Sequence, residues 1–116
     1  MHKTILAATL SLLAVPVFAQ QQQHGTASYY TGGVNGHTKT KSGEPVNPNS
    51  NQAASPNLPL GSTATVTNQK NGKSEDVRIV DRGPTRHDRV IDLSKKSAQD
   101  LGMAKSGTAP VTVQPK

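Results

Sequence analysis

The chemistry open to this chain rests on carboxyls, hydroxyls and cations. It has seven acidic side chains, four histidines and no cysteine. A thiolate nucleophile or thiolate metal site is therefore ruled out. His24, His37 and His87 are scattered, without the paired helical spacing that binds zinc, and His87 reads as a solvated loop residue. No serine stands in a strand-to-helix nucleophile elbow, and no glycine loop is built to cradle phosphate. Three acids stand in distinctive surroundings. Glu44 closes Ser42-Gly43-Glu44, Asp81 opens Asp81-Arg82-Gly83-Pro84, and Asp92 lies in Arg89-Val90-Ile91-Asp92-Leu93-Ser94. Two carboxyls can divide acid and base duties when burial or a neighbouring charge keeps one protonated. Asp81 ends an apolar run, so partial burial is expected there. It also reads as a turn former bonding the backbone after it. Glu44 sits in a polar stretch and is expected to be exposed. Asp92 reads first as structural, at a strand-to-helix corner. Arg82 suits either of two tasks, holding Asp81 ionised or gripping a substrate carboxylate.

The elements that must hold these residues are mostly strands. Gly25–Tyr30 reads as a first strand. Residues 31–59 are rich in Gly, Asn, Ser and Pro, too long for an ordinary connection, and are expected to form a functional loop with short strand pieces. Thr63–Asn68 and Asp76–Val80 are β-branched and alternating, and Asn71-Gly72 between them marks a hairpin. Arg89–Leu93 is a further strand. Ser94 can cap a helix of about two turns through Ala98 and Leu101, which Gly102 stops. Thr108–Gln114 closes the chain as a strand. Gly61–Thr67 faintly echoes Gly107–Thr112, as two related strands of a barrel would. The pattern is mainly β with one short helix, which suits a small closed barrel. With Phe18 set aside, Tyr29 and Tyr30 are the aromatics, so the core must come from Val, Ile, Leu and Ala.

The chain's beginning points outward from the cell. Met1-His2-Lys3 is basic, Thr4–Val17 is apolar and uncharged, and Val17-Phe18-Ala19 ends on a small residue. That order is the one of a secretory signal peptide, with cleavage expected after Ala19. The apolar run is short for a membrane span. Residues 20–24 read as a disordered leader, and 25–114 as one domain. A periplasmic or extracellular, unlipidated monomer is expected, since no cysteine is available for a lipid anchor. The net charge of +6 fits an anionic wall polymer or simple solubility. Export argues against nucleic acid, and no cofactor is expected.

Taken in order, the blocks become specific. Gly25-x-Ala27-Ser28-Tyr29-Tyr30 is followed by Asn35-Gly36, Thr40-x-Ser42-Gly43-Glu44, Ala53-Ala54 and Leu58-Pro59-Leu60-Gly61-Ser62. Val77-x-Ile79-x-Asp81-Arg82-Gly83-Pro84 and Arg89-Val90-Ile91-Asp92-Leu93-Ser94 come next. This series resembles the rare lipoprotein A family along nearly the whole chain after Ala19. The resemblance implies a six-stranded double-psi β-barrel, the fold also of expansins. It implies an endolytic lytic transglycosylase that cuts peptidoglycan between N-acetylmuramic acid and N-acetylglucosamine and leaves 1,6-anhydro-muramic ends. Some members of the family prefer glycan stripped of stem peptides. The family's carboxylates map onto Glu44 and Asp81. Glycosidic cleavage needs an acid for the leaving oxygen and negative charge near an oxocarbenium-like centre. Asp81 is accordingly expected as the acid and Glu44 as the second carboxylate, with Tyr30, Arg82 and Ser55 binding substrate. Two departures stand out. Ser55-Pro56 occupies the place of a histidine common in the family, and Pro45-Val46 replaces a common aromatic. The alternative reading is a non-catalytic expansin-like module that binds polysaccharide.

Overall fold

A computed structural model describes residues 21–31 and 39–116. The expected signal peptide, and the Asn35-Gly36 and His37 positions, lie outside the described residues. Six strands, β1 (Gln23–Tyr30), β2 (Gln52–Ala54), β3 (Thr63–Asn68), β4 (Ser74–Asp81), β5 (Arg89–Ser94) and β6 (Ala109–Pro115), accompany one helix, α1 (Lys95–Asp100). The strands close into a barrel in the order β1-β5-β2-β4-β3-β6. The β1/β5 and β2/β4 pairs are parallel and the rest antiparallel. Closure leaves no free edge to template aggregation. β1 starts at Gln23, because Gln23 and His24 pair with Val113 and Thr112. Those two residues therefore belong to the sheet and not to a leader. Among the described residues, no helix is long and apolar enough to cross a membrane.

Alternation decides which residues face inward. Ala27 of β1, Ala53 of β2, Ala64 and Val66 of β3, Val77 and Ile79 of β4, Ile91 and Leu93 of β5, and Val111 and Val113 of β6 form one fully buried cluster. Tyr29 packs against it, and its hydroxyl donates to Ala104 O at 2.9 Å. The expected aliphatic core is thus realised, with Tyr29 as the aromatic it takes in.

The β3–β4 hairpin has a four-residue loop, with Asn68 N bonding Lys73 O and Gly72 N bonding Asn68 O, both at 2.8 Å. A two-residue Asn71-Gly72 turn is displaced because Asn68 Oδ1 accepts from Lys70 N at 2.9 Å, which starts the turn early. Gly72 still takes φ +78°, a conformation other residues adopt at a cost. Helix α1 begins as expected, with Ser94 Oγ accepting from Ser97 N at 3.2 Å. It ends at Leu101, with Gly102 in the left-handed region at φ +73°. The echoing strands β3 and β6 are neighbours, and the related residues Thr67 and Thr112 lie directly opposite each other.

Each parallel pair contains one register shift. Ile79 faces Ala53, but the next pair is Asp81 with Ala54, which leaves Val80 as an extra residue on β4. Between Thr26 and Ala27 the same irregularity leaves Val90 extra on β5. Such bulges re-aim the side chains that follow them, and the first one decides where Asp81 points.

Candidate functional site

Strict alternation would send Asp81 inward with Val77 and Ile79. The bulge at Val80 instead sets Asp81 opposite Ala54. Ala54 in turn lies opposite Asp92, and Asp92 opposite Ser28. One row therefore crosses four strands as Asp81, Ala54, Asp92, Ser28. It runs on the outer face, since Ile91 and Leu93 flanking Asp92 both point into the core. Two acids thus stand one strand apart on either side of an alanine. At strand spacings near 4.8 Å their Cα atoms are about 10 Å apart. The alanine matters, because a larger side chain there would fill the space between the carboxyls.

The two acids sit in different settings. Asp81 is 8 % exposed. Its Oδ1 accepts from Arg82 N at 2.9 Å and from Lys41 N at 3.1 Å. Its Oδ2 has no partner among the described residues, so orientation is fixed through one oxygen. Asp92 is partly buried, and burial pushes its carboxyl above the usual range. The Ser28 hydroxyl, donating at 3.0 Å, and Arg89 act the other way. Tyr30 ends β1 on the same face. Burial, then Asp92 and Asp81, push its phenol far above the usual value, so it stays a neutral O–H donor.

A pocket of about 220 Å³ opens beside this row, lined by Ala54, Asp92, Arg82, Arg86 and the 83–85 segment. It is smaller than the roughly 300–1,000 Å³ typical of a site that encloses a small ligand. Arg82 is held by Nη1, which donates to Ser55 O and Leu58 O. Its Nε and Nη2 have no partners among the described residues, so the other edge of the guanidinium faces the opening. Arg86 makes a two-pronged contact with Asp88 at 3.2 Å.

The loop through Thr40–Glu44 docks on the end of β4, with Ser42 N bonding Val80 O at 3.1 Å and Lys41 N bonding Asp81. Glu44 pairs with Arg78 at 2.9 Å. The guanidinium hydrogen bond holds the Glu44 carboxyl below its ordinary range; burial, next in size, opposes it, and Arg78's charge and Ser42 add to the lowering. Glu44 is thus a half-buried, ionised loop group, paired with a residue three positions before Asp81 on β4. Nothing in the described contacts joins the two carboxyls directly.

Ser55 needs correcting as a binding residue. It is fully buried, and its hydroxyl is spent on Leu58 N at 2.9 Å and Asn57 N at 3.2 Å. It shapes the cleft through its carbonyl, which holds Arg82. Asp92, weighed at first as a structural corner residue, is the group that sequence reasoning under-read. The signal was the alternation itself, because an acid between inward-facing Ile91 and Leu93 must point out, beside Ser28. Among the described residues no cluster of three metal-ligating side chains occurs.

Residues 22–113 match the family model described as lytic transglycolase. The chain belongs to the lytic transglycolase family. Over 96 residues it is 47 % identical to the endolytic peptidoglycan transglycosylase RlpA of Neisseria meningitidis, covering 83 % of this chain and 40 % of that protein. The Pseudomonas aeruginosa protein of the same name is 49 % identical over 90 residues, 78 % of this chain and 26 % of the relative. The chain therefore spans less than half the length of these relatives. Among solved structures, a Streptomyces papain inhibitor superposes with a TM-score of 0.65 at 25 % identity, covering 81 % of this chain and 93 % of the other. The Clavibacter michiganensis expansin gives 0.63 at 22 %, covering 83 % and 50 %. These likenesses agree with the closed six-stranded double-psi β-barrel of the lytic transglycolase family.

Proposed function

We propose that this barrel is an exported endolytic lytic transglycosylase domain that cleaves peptidoglycan glycan strands between N-acetylmuramic acid and N-acetylglucosamine. The observation that carries the reading is the Asp81–Ala54–Asp92 row, two differently held carboxyls on the outer face of the barrel, with a pocket beside Asp92. In this proposal Asp92 is the acid, because burial favours its protonated form. That moves the acid role from Asp81, where the residue pattern alone had put it. Asp92 gives its proton to the glycosidic oxygen as the bond from the muramic anomeric carbon breaks. The muramic 6-hydroxyl attacks that carbon, and Asp81 Oδ2 accepts its proton. The products are a 1,6-anhydro-muramic end and a free N-acetylglucosamine hydroxyl. No water is consumed, and one proton has moved from Asp92 to Asp81.

Glu44, ionised on the 40–44 loop, is proposed as the third carboxylate, supplying negative charge toward the oxocarbenium-like centre. Tyr30 donates its hydroxyl to the sugar and Arg82 offers its open edge to an anionic group. Export through Met1–Ala19 places the domain where its polymer is, in the periplasm or outside the cell. All these groups come from one copy, so a monomer suffices.

The test is product analysis. The chain is incubated with sacculi and with stem-stripped glycan, and 1,6-anhydro-muramic products are sought by mass spectrometry, with Asp81→Asn and Glu44→Gln alongside. Anhydro products that fall at least tenfold in Asp81→Asn support the reading. Binding to sacculi without any product supports the expansin-like binding module instead.

A further inference from the structure

Away from the cleft, Glu75 occupies a position its chemistry does not favour. It shares the inward parity of Val77 and Ile79 on β4, and it pairs across the ladder with the fully buried Val66 of β3. One end of the barrel there is covered by α1, which packs on β1, β4 and β5. From α1, Asp100, Ser97 and Lys96 all act on the Glu75 carboxyl. Lys96 Nζ holds Asp100 Oδ2 at 2.6 Å. On β4 itself, neighbouring Asp76 is engaged by Lys116 at 2.8 Å and by Thr65 at 2.6 Å; β3 sets Val66 opposite Glu75, and its buried Asn68 is engaged by Leu101 O. Glu75 Oε2 is buried and has no hydrogen-bond partner among the described residues, and the same is true of Ser97 Oγ.

Two ionised carboxylates cannot bond each other, because both are acceptors only. A buried acceptor facing a second acceptor costs free energy on both counts. A proton on Glu75 Oε2 resolves both, since it turns the orphan atom into a donor aimed at an Asp100 carboxylate that Lys96 keeps charged. We propose that the barrel holds a single proton between the Glu75 and Asp100 carboxyls, which pins α1 to β4 and is given up as the pH rises. The electrostatics agree in direction. Burial first, then the contact with Asp100, push Glu75 up to about 7; Ser97, next in size, and Lys96 act the other way. Asp100 is lowered by its bonds to Glu75 and Lys96.

The sign follows from linkage. The folded state binds this proton more tightly than the unfolded chain, where Glu75 titrates near 4.5. Stability from the clamp is therefore complete below about 4.5 and lost as the pH climbs through about 7. Helix α1 follows directly on β5, which carries Asp92, so alkaline loosening of α1 falls next to the cleft strand.

The experiment is a carboxyl ¹³C NMR titration of the full chain, paired with thermal melts from pH 5 to 8. Glu44 and Glu75 are the chain's glutamates, so their side-chain signals are readily assigned. The Glu75 signal is expected to titrate near 7 and Glu44 below 4.5. Wild-type Tm should fall by about 5 °C or more over this range, and Glu75→Gln should flatten that fall. A Glu75 midpoint below about 5, or an unchanged melting slope in Glu75→Gln, overturns the proposal. If Glu75→Gln does not fold, Asp100→Asn decides. There the Glu75 midpoint must drop toward 4.5, and a midpoint still near 7 overturns the shared proton.

Discussion

Replacing Asp92 by asparagine removes a proton donor and little else. The amide keeps an oxygen that can accept from Ser28, whose hydroxyl now bonds Asp92 at 3.0 Å. It fits the same space beside Ala54, and it cannot protonate a leaving oxygen. General acid catalysis is worth about 10²–10⁴-fold, or roughly 2.7–5.4 kcal/mol of transition-state stabilisation. The kcat/KM for release of anhydro-muramic products from stem-stripped glycan is expected to fall by that factor. Stability moves the other way. Burial raises the carboxyl's pKa, so at neutral pH the wild type bears a cost for ionising this group that asparagine does not. Asp92→Asn should therefore melt at or above the wild-type Tm at pH 7.5, which separates lost chemistry from lost fold. The pH profile gives a second check. An acid works only while protonated, so wild-type kcat/KM should decline on the alkaline side as Asp92 ionises. That limb should vanish from the residual activity of the variant. A loss below about tenfold, or an alkaline limb that persists unchanged, refutes Asp92 as the acid.

Two further outcomes follow from neighbouring contacts. Arg82→Ala should raise KM at least tenfold on wall glycan, with kcat changed less, because it removes the guanidinium edge facing the pocket; steady-state kinetics read the split. Asn68→Ala should cost about 1–3 kcal/mol in chemical denaturation. It strips the 2.8 Å bond that Nδ2 donates to Leu101 O and the 2.9 Å bond that Oδ1 accepts from Lys70 N, both at a 2 % exposed residue.

Much of the barrel was legible because its strands alternate cleanly. Thr63–Asn68 and Arg89–Leu93 declare an inward face by period two, and Ser94 and Gly102 bracket α1 with ordinary cap chemistry. What alternation could not reveal was its own interruption. Val80 is apolar and β-branched like any strand residue, and nothing in its type says that two positions of β4 will stand against one of β2. Without that bulge Asp81 would be a core aspartate pointing at Val77 and Ile79. With it, Asp81 joins Asp92 on the outer face. Glu44 was legible as a loop acid, but it is half-buried, and its tie to Arg78 joins residues 34 positions apart, which no local pattern encodes. Ser55 was misjudged for a related reason, since its burial depends on Leu58 folding back over it.

Asp92 and Glu75 follow one rule from opposite faces of the sheet. Each is an acid on a strand of this barrel, and burial is the largest cause raising its pKa. Asp92 has Ser28 and an open pocket beside it, so its proton can leave toward a ligand. Glu75 has Asp100 and α1 beside it, so its proton is held against a neighbouring carboxylate until the pH rises. The same desolvation therefore serves reactivity at one site and attachment at the other, and the difference lies in what stands opposite. Exchanging the opposing groups tests this reasoning. Ala54→Leu should fill the space between Asp81 and Asp92 and abolish turnover, while leaving the Glu75 titration near 7 untouched. If Ala54→Leu moved the Glu75 midpoint as well, the two protons would be coupled through the sheet, and their separate treatment would fail.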